Sequence, residues 1–362
     1  MPEYHISDIK KFKSCRQVWD YSSPLRMNLA PKKTPLHFVL GKGVHYACSA
    51  LYETGEKPSE AYERYIAYYK EKEGHLWGPK TLETIRLGHA MCETYYSWVT
   101  GSDAPDALWK VIATEIRFGP VKLPIPGTSK FSPEYALTGR FDQVIENKLT
   151  GALWIREFKT SARAPAMNWL DNDDQLTAYT WSIQKILGKP IEGVQYRFLM
   201  KKAPEMPELV QKGARLSKAI NSSLATTYDL YLRAIEENGF NKADYVDVLS
   251  QLEGRGWGEY IIEYPSVRSQ EALRVAAENL FLTVWDMDHN PTIYPSPDWI
   301  RCAWCSHLEP YIALREGRED LSQQLLEAEF AVQVREKTED IDLFARIDVD
   351  GLEQEVIDYD EG

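Results

Sequence analysis

Residues 139–160, which read GRFDQVIENKLTGALWIREFKT, constrain the fold more than any other stretch of this sequence. Residues 140–146 and 152–159 are rich in Val, Ile, Phe and Trp, which favour β-strands. Residues 147–151 between them include Asn, Thr and Gly, which favour a turn. The stretch therefore predicts a β-hairpin, in which residues far apart in sequence become neighbours.

Three charged residues of this hairpin form a candidate catalytic group. Asp142 lies on the first strand, and Glu157 and Lys159 lie two residues apart on the second, so that they point to the same face. Two carboxylates from adjacent strands can hold a hard divalent cation. Phosphodiester hydrolysis needs such a cation and an activated water, which a lysine can position or deprotonate. The hairpin alone also allows a surface ion pair between Glu157 and Lys159.

Further candidate residues precede and follow the hairpin. His45 lies in a helical stretch four residues after Gly41, and Glu115 lies in the β-like run ATEIRF. Gln175 and Tyr179 lie four apart in a segment with helical spacing of apolar residues, so their side chains share one face. Each residue alone has an ordinary structural interpretation. Their combination with the hairpin indicates a site.

The sequence resembles the RecB-like exonuclease branch of the PD-(D/E)XK nuclease superfamily through the order of these motifs: His45, Glu115, Asp142, Glu157-x-Lys159 and Gln175-x-x-x-Tyr179. The branch includes the CRISPR adaptation nucleases and the nuclease domains of AddAB-type enzymes. The resemblance spans roughly residues 4–316. It implies an α/β fold, with a restriction-endonuclease-like mixed β-sheet core flanked by helices and an extra helical layer.

The resemblance also implies roles for the motif residues. The implied ligands of Mg²⁺ or Mn²⁺ are His45, Asp142, Glu157 and the backbone carbonyl of Phe158. Lys159 becomes the catalytic lysine.

Three further residues receive roles around that centre. Gln175 and Tyr179 would border the site, where they contact the substrate strand or support the lysine. Glu115 would orient the lysine or pair with an arginine. All three are therefore candidate catalytic residues.

The cysteines suggest a second metal site. Cys15 lies early in the chain, and Cys302 and Cys305 form a late C-x-x-C. This layout resembles the iron-sulfur subset of RecB-like nucleases, but the fourth cysteine expected at position 311 is Tyr311. Three interpretations stay open: the metal is lost, His307 completes a Cys₃His zinc site, or an iron-sulfur cluster has an unusual fourth ligand.

The negative charge of the chain is concentrated at its end. Of 54 acidic and 42 basic residues, 16 and 4 lie in residues 316–362, which leaves 38 of each sign in residues 1–315. A neutral body can hold a basic groove for DNA, and an acidic tail can bind a protein partner. Candidates for phosphate or base contacts are Lys10, Lys11, Lys13, Arg16, Lys32, Lys33, Lys201, Lys202, Arg197, Trp169 and Trp181.

We expect one nuclease domain over residues 1–315 and an acidic tail over residues 316–362. The domain would comprise a helical layer (37–101), a core (about 110–201) and a closing segment (258–315). Predicted helices cover 4–21 and 207–238, and predicted strands give the order β-β-β-α-β.

The composition excludes two classes of protein. There is no apolar run near 18 residues, so no membrane association is expected. The N-terminus lacks the plan of a secretory signal, and five cysteines argue against a secreted disulfide framework. We therefore expect a cytoplasmic protein.

These patterns predict a divalent-metal-dependent DNA nuclease. The expected form is an exonuclease on single-stranded or free DNA ends, in recombination, repair or phage DNA metabolism. A non-catalytic nuclease-like subunit that binds nucleic acid or a partner protein is the alternative. A sequence-specific endonuclease with the same core is a third hypothesis.

Overall fold

A central mixed β-sheet organises the computed structural model, which describes residues 3–74, 77–101, 104–210, 215–218 and 225–333. The strands of this sheet are β1 (Glu3–His5), β3 (Trp109–Pro124), β4 (Phe131–Asn147), β5 (Leu153–Ser161), β6 (Ile191–Met200) and β9 (Ile261–Val267). Shorter strands pair outside it: β2 (Leu29–Pro31) with β10 (Phe330–Val332), and β7 (Leu209–Val210) with β8 (Arg215–Leu216).

Helices cover both faces of the sheet. In chain order they are α1 (Ile6–Ser14), α2 (Arg16–Ser22), α3 (Leu36–Thr54), α4 (Pro58–Glu73), α5 (Pro79–Thr100), α6 (Met167–Leu170), α7 (Asp174–Leu187), α8 (Tyr228–Glu237), α9 (Val246–Arg255), α10 (Gln270–His289), α11 (Trp299–Cys302), α12 (Leu308–Arg315) and α13 (Glu319–Glu329). None of the helices in the described ranges is both long and apolar enough to cross a membrane.

The strand order is β1-β4-β5-β6-β9, and β3 pairs with the other edge of β4. Strands β4 and β5 are antiparallel, whereas β5 and β6 are parallel. Parallel neighbours need a crossover connection, which α6 and α7 supply. The predicted α/β class and β-β-β-α-β order are thereby confirmed.

Two apolar clusters hold the helices to the sheet. One lies between the sheet and α1, α7 and α10 and includes Tyr179 and Tyr196. The other joins α3, α4 and α5 to the opposite face and includes Phe158 and Leu199. The predicted helical layer is therefore present, and the strands that carry the motif residues are enclosed on both faces.

The hairpin between β4 and β5 forms as predicted. The side-chain oxygen of Asn147 accepts hydrogen bonds from the backbone N–H groups of Leu149 and Thr150 at 2.9 and 3.1 Å. Gly151 has a φ of 73°, a conformation that side chains disfavour. These turn residues set the register in which Gln143 pairs with Arg156.

Two helix predictions were wrong. The helix predicted over residues 4–21 is interrupted at Cys15, whose φ of −163° is extended, so α1 and α2 are separate. Within the described part of residues 207–238 the predicted helix is confined to α8, because residues 209–210 and 215–216 form β7 and β8 and the Thr227 side chain caps α8 by accepting from Leu230 N–H at 3.3 Å. Residues 211–214 and 219–224 lie outside the described ranges.

The first part of the predicted acidic tail is ordered against the body. Helix α13 buries Leu326 with Tyr21 and Phe330, and β10 pairs with β2. Residues 334–362 lie outside the described ranges.

Two arginines beneath the helical layer are fully buried. Arg156 and Arg197 are 0% exposed and donate to the same carboxylate oxygen of Asp106, at 2.7 and 2.8 Å. Arg197 also donates to Glu263 at 2.6 Å and to the hydroxyl of Tyr95 at 2.8 Å. Removing one partner of a buried ion pair leaves an uncompensated charge, so Asp106 is essential to this network.

Asp106→Asn should lower the free energy of unfolding by about 3 kcal/mol, because Arg156 loses its charged partner and Arg197 keeps only Glu263. Burial would raise the pKa of Asp106, but Arg197 and Arg156 outweigh it and lower this pKa. The contribution should therefore be present above about pH 4 and diminish as the pH falls further. Urea unfolding at several pH values measures both effects. Glu237→Gln, which breaks an exposed pair with Arg233, should cost less than about 1 kcal/mol; equal losses would contradict the prediction.

Candidate active site

The motif residues meet where β4 and β5 separate. Antiparallel pairing of these strands ends at Gln143 and Arg156, so the next opposed pair would be Asp142 and Glu157. Like charges placed directly opposite each other disfavour continued pairing. Beyond this point β5 stays with β6, and β4 continues alongside β1. We call this opening between β4 and β5 the fork.

Asp142 lies at the base of the fork, where β4 and β5 separate. Its Oδ2 accepts a hydrogen bond from the backbone N–H of Phe158 at 2.6 Å and lies 3.5 Å from Nδ1 of His45. Burial would raise the pKa of Asp142, but His45, Lys159 and the Phe158 N–H outweigh it and lower the pKa. Asp142 is therefore a carboxylate at neutral pH.

His45 reaches the fork from α3. Burial would lower its pKa, but the charge of Asp142 outweighs burial and raises the pKa. Its ring also packs edge-on against Phe158, with centroids 6.2 Å apart. The predicted neighbours His45 and Asp142, 97 residues apart in sequence, are thus brought together.

Glu157 and Lys159 share the predicted face. Lys159 Nζ donates to Glu157 Oε1 at 2.5 Å, whereas Glu157 Oε2 is buried and has no hydrogen-bond partner among the described residues. Burial and the charge of Asp142 raise the pKa of Glu157 to about 7. Burial would lower the pKa of Lys159, but Glu157 and Asp142 outweigh it and raise the pKa, so Lys159 is an ammonium.

The backbone at Phe158 also opens toward the fork. In an extended strand the N–H and C=O of one residue point to the same side. Because the Phe158 N–H points to Asp142, its carbonyl oxygen is directed into the fork as well. The backbone carbonyl ligand predicted at Phe158 is therefore on the correct side of β5.

Glu115 lies beside these residues on β3. Its neighbours Thr114 and Ile116 pair with Gln143 and Phe141, which places Glu115 opposite Asp142. Its φ of 48° is uncommon for a residue with a side chain. Burial and the charge of Asp142 raise its pKa, against the influence of Arg140.

The carboxylate of Glu115 is held by two residues that the motifs did not identify. Ser49 donates to it at 2.8 Å and the Nε of Arg140 donates at 2.6 Å. Ser49 lies one turn after His45, and Arg140 lies two residues before Asp142, on the same face of β4. Helix and strand periodicity around the motif residues could have indicated both.

Gln175 and Tyr179 form the opposite wall. Gln175 Nε2 donates to the hydroxyl of Tyr179 at 3.2 Å, and Lys10 Nζ donates to Gln175 Oε1 at 3.1 Å. Burial and then the charge of Glu157 raise the pKa of Tyr179, which therefore faces the fork in its neutral form. A Cβ at Gly139 would lie 2.9 Å from the Tyr179 ring, which explains why the GRFD motif begins with glycine.

One feature of the fork shows that its side chains fit a divalent cation. Glu157 Oε2 is a buried oxygen without a hydrogen bond, next to carboxylate and imidazole groups. Oxygen ligands are those that Mg²⁺ and Mn²⁺ prefer. In the described ranges no group of three or more His, Cys, Asp or Glu side chains is already arranged to hold a metal ion. The side chains would therefore have to rearrange to converge on the cation.

The three cysteines of the predicted second metal site line a separate cavity of about 240 Å³. Cys15, Cys302, Cys305, His307 and Tyr311 all line it. His307 Nε2 is buried without a partner, and its ring is stacked on other aromatic rings. Burial lowers the pKa of His307 to about 4 and raises that of Cys305.

The predicted DNA contacts divide into buried and exposed groups. Arg197 and Trp181 belong to the core, and Arg16 is buried against Asp286. Exposed members include Trp169 and Lys33. Lys201 is half-buried, and the exposed and half-buried members are those available to a ligand.

Comparisons with known proteins identify the family. A family model of the PD-(D/E)XK nuclease superfamily matches residues 6–246, about two-thirds of the chain. No curated protein matches the sequence. A solved structure titled "Crystal structure of SSO0001" is 13% identical to this chain. The match covers 84% of this chain and 82% of that structure's chain, with a TM-score of 0.30. Because the family model spans the whole fork, the chain belongs to the PD-(D/E)XK nuclease superfamily.

Proposed function

We propose that this chain is a Mg²⁺- or Mn²⁺-dependent DNA nuclease of the RecB-like branch. Its substrates would be single-stranded DNA or free DNA ends, which it would degrade as an exonuclease in recombination, repair or phage DNA metabolism. The observation that carries the proposal is the unsatisfied, buried Glu157 Oε2 beside Asp142 and Lys159. An unsatisfied buried oxygen costs about 1–3 kcal/mol, which a bound cation would offset.

Four groups would hold the cation: His45, Asp142, Glu157 and the Phe158 carbonyl. When bound, the cation supplies charge neutralisation on the phosphate and activation of a water. Asp142 contributes its charge, and its hydrogen bond from Phe158 N–H keeps the carboxylate directed into the fork.

Lys159 would act by charge and orientation. Its raised pKa keeps it protonated, so it can donate hydrogen bonds to the attacking water or to a phosphate oxygen. An ammonium in this state cannot remove a proton. Of the two roles expected for the lysine, its surroundings thus favour positioning over deprotonation.

The surrounding residues would support this centre. Arg140 and Ser49 hold Glu115, whose charge lies opposite Asp142 and would help to retain the cation. Gln175 orients the Tyr179 hydroxyl at the other wall. We therefore assign Glu115, Gln175 and Tyr179 to positioning.

Asp142→Asn and Lys159→Ala should each lower Mn²⁺-dependent cleavage of DNA by at least about 100-fold, because each removes a charge that acts on the reacting phosphate. Release of nucleotides from labelled DNA measures activity, and circular dichroism confirms folding. Asn at position 142 retains an acceptor for the Phe158 N–H.

Two charged neighbours provide matched controls for these variants. The control variants are Glu146→Gln and Lys148→Ala. Glu146 lies four residues after Asp142 on the same strand, and Lys148 lies in the exposed turn. Both should retain cleavage. Full activity of folded Asp142→Asn or Lys159→Ala would refute the assignment of the fork.

Three DNA substrates separate the functional hypotheses. We expect degradation of linear single strands and of linear duplexes from their ends, while closed circular DNA stays intact. Cleavage of closed circles at defined positions would identify a sequence-specific endonuclease. Binding without cleavage in Mg²⁺ and Mn²⁺ would identify the non-catalytic subunit.

For the cysteine cavity we propose that no metal ion is held. The imidazole of His307 is stacked between Tyr21 and Phe330, with centroids 5.4 and 4.4 Å away, which is the packing of a core histidine. A Cys₃His zinc site or an iron-sulfur cluster would require deprotonated thiols, whereas burial raises the pKa of Cys305.

Protein purified without oxygen or chelators should therefore contain zinc and iron well below one atom per chain. Plasma mass spectrometry measures both metals. Near-stoichiometric zinc or iron that disappears in Cys302→Ala would contradict this proposal and establish the metal site.

A further inference from the structure

Two exposed aromatic rings lie on helices α3 and α6, which pack against opposite faces of the sheet. Phe38 in α3 is 51% exposed, and Trp169 in α6 is 67% exposed. Single exposed apolar side chains are ordinary on protein surfaces. The position of these two rings relative to the catalytic residues is what gives them a function.

Phe38 lies on the same face of α3 as His45. The two are seven residues apart, about two helical turns and about 10 Å along the axis. Between them on this face, a Cβ on Gly41 would lie 3.5 Å from Thr160 Oγ1. Phe38 therefore lies beyond Thr160, at the carboxyl end of the strand that carries Glu157 and Lys159.

Trp169 lies on the opposite side of the sheet. Its backbone N–H donates to Ala166 at 3.0 Å, and the neighbouring Leu170 is buried. The carbonyl of Leu170 accepts from the hydroxyl of Tyr196, which pairs with Glu157 in the sheet. Trp169 is thus anchored over β6, the strand next to the one that carries Glu157, while its ring is exposed.

Basic side chains lie at the same end of β5. The backbone N–H of Lys201 donates to Ser161 at 2.7 Å, and Ser161 Oγ donates to the carbonyl of Arg163 at 2.6 Å. Within the described residues, neither Arg163 nor Lys201 forms a salt bridge. Lys33 lies three residues before α3 and is exposed. Arg163 and Lys201 therefore place positive charge at the carboxyl end of β5.

We propose that Phe38 and Trp169 stack against bases of a single-stranded polynucleotide on the two sides of the fork, while Arg163 and Lys201 contact its phosphates. This inference rests on the proposed nuclease function and specifies its substrate. Stacking requires an exposed base face, and in a duplex the neighbouring base pairs cover those faces. The rings would therefore favour unpaired strands.

The charge between the rings favours this occupant over an apolar protein surface. A protein interface of that kind requires a contiguous apolar patch. Here basic groups and the carboxylates of the fork separate Phe38 from Trp169. Alternating rings and positive charges instead match the alternating bases and phosphates of a single strand.

Phe38→Ala and Trp169→Ala should each weaken binding of a fluorescent oligothymidylate about tenfold, a typical effect of removing one base-stacking ring. Anisotropy in Ca²⁺ measures binding independently of cleavage. In Mn²⁺ the KM for this strand should rise by a similar factor, with a smaller change in kcat. Phe38→Tyr and Trp169→Phe should restore affinity, because they retain a ring.

Trp299→Ala is the matched control. Trp299 is 82% exposed in α11, beside the cysteine cavity rather than the fork, and its removal should leave binding unchanged. Stacking also predicts that oligothymidylate quenches part of the tryptophan fluorescence of the wild type but not of Trp169→Phe.

The two proposals fail in different ways. Wild-type affinity in both alanine variants, or an equal loss in Trp299→Ala, would overturn the stacking inference while cleavage still supports the nuclease. If the wild type binds the strand without cleaving it, the nuclease proposal fails and the anisotropy series still tests the rings. Absence of any binding to oligothymidylate would overturn the inference as well.

Discussion

The hydrogen bond from Phe158 N–H to Asp142 organises the centre of this molecule. It forms where β4 and β5 stop pairing, at the first position that would oppose two carboxylates. The bond satisfies a backbone donor that the sheet no longer pairs, and it directs the Asp142 carboxylate into the opening. The positions of His45, Glu157 and Lys159 depend on this separation, because a continuous hairpin would leave no space between the strands.

The buried polar network behind the fork fixes the strands that carry it. Arg156 and Glu157 are consecutive, so the side chain that enters the helical layer and the one that faces the fork belong to one stretch of β5. Asp106 neutralises Arg156 and Arg197 from a neighbouring turn. Rigid support of this kind holds catalytic groups in place more firmly than a loop would.

Periodicity and turn chemistry were sufficient for much of the fold. The helices α3, α4 and α5 form the helical layer predicted over residues 37–101, and the hairpin follows from Asn147 and Gly151. The helix prediction around Cys15 failed because helix propensity is continuous there, whereas in the fold Ser14 and Cys15 accept hydrogen bonds from Arg301 and Ser296. The contacts that break the helix involve residues nearly three hundred positions away, which local patterns cannot express.

The order of the motifs in the chain was enough to identify the family and the charged residues of the fork, because the chemistry of phosphodiester cleavage restricts which residue types can occur together. Tertiary packing alone established that Glu157 retains a buried, unsatisfied oxygen and that Lys159 stays protonated. It also separated the exposed Trp169 from the buried Trp181, and it left Phe38 exposed on the helix that carries His45. Burial and electrostatic environment arise from contacts between distant segments, so they become defined only when the chain is folded.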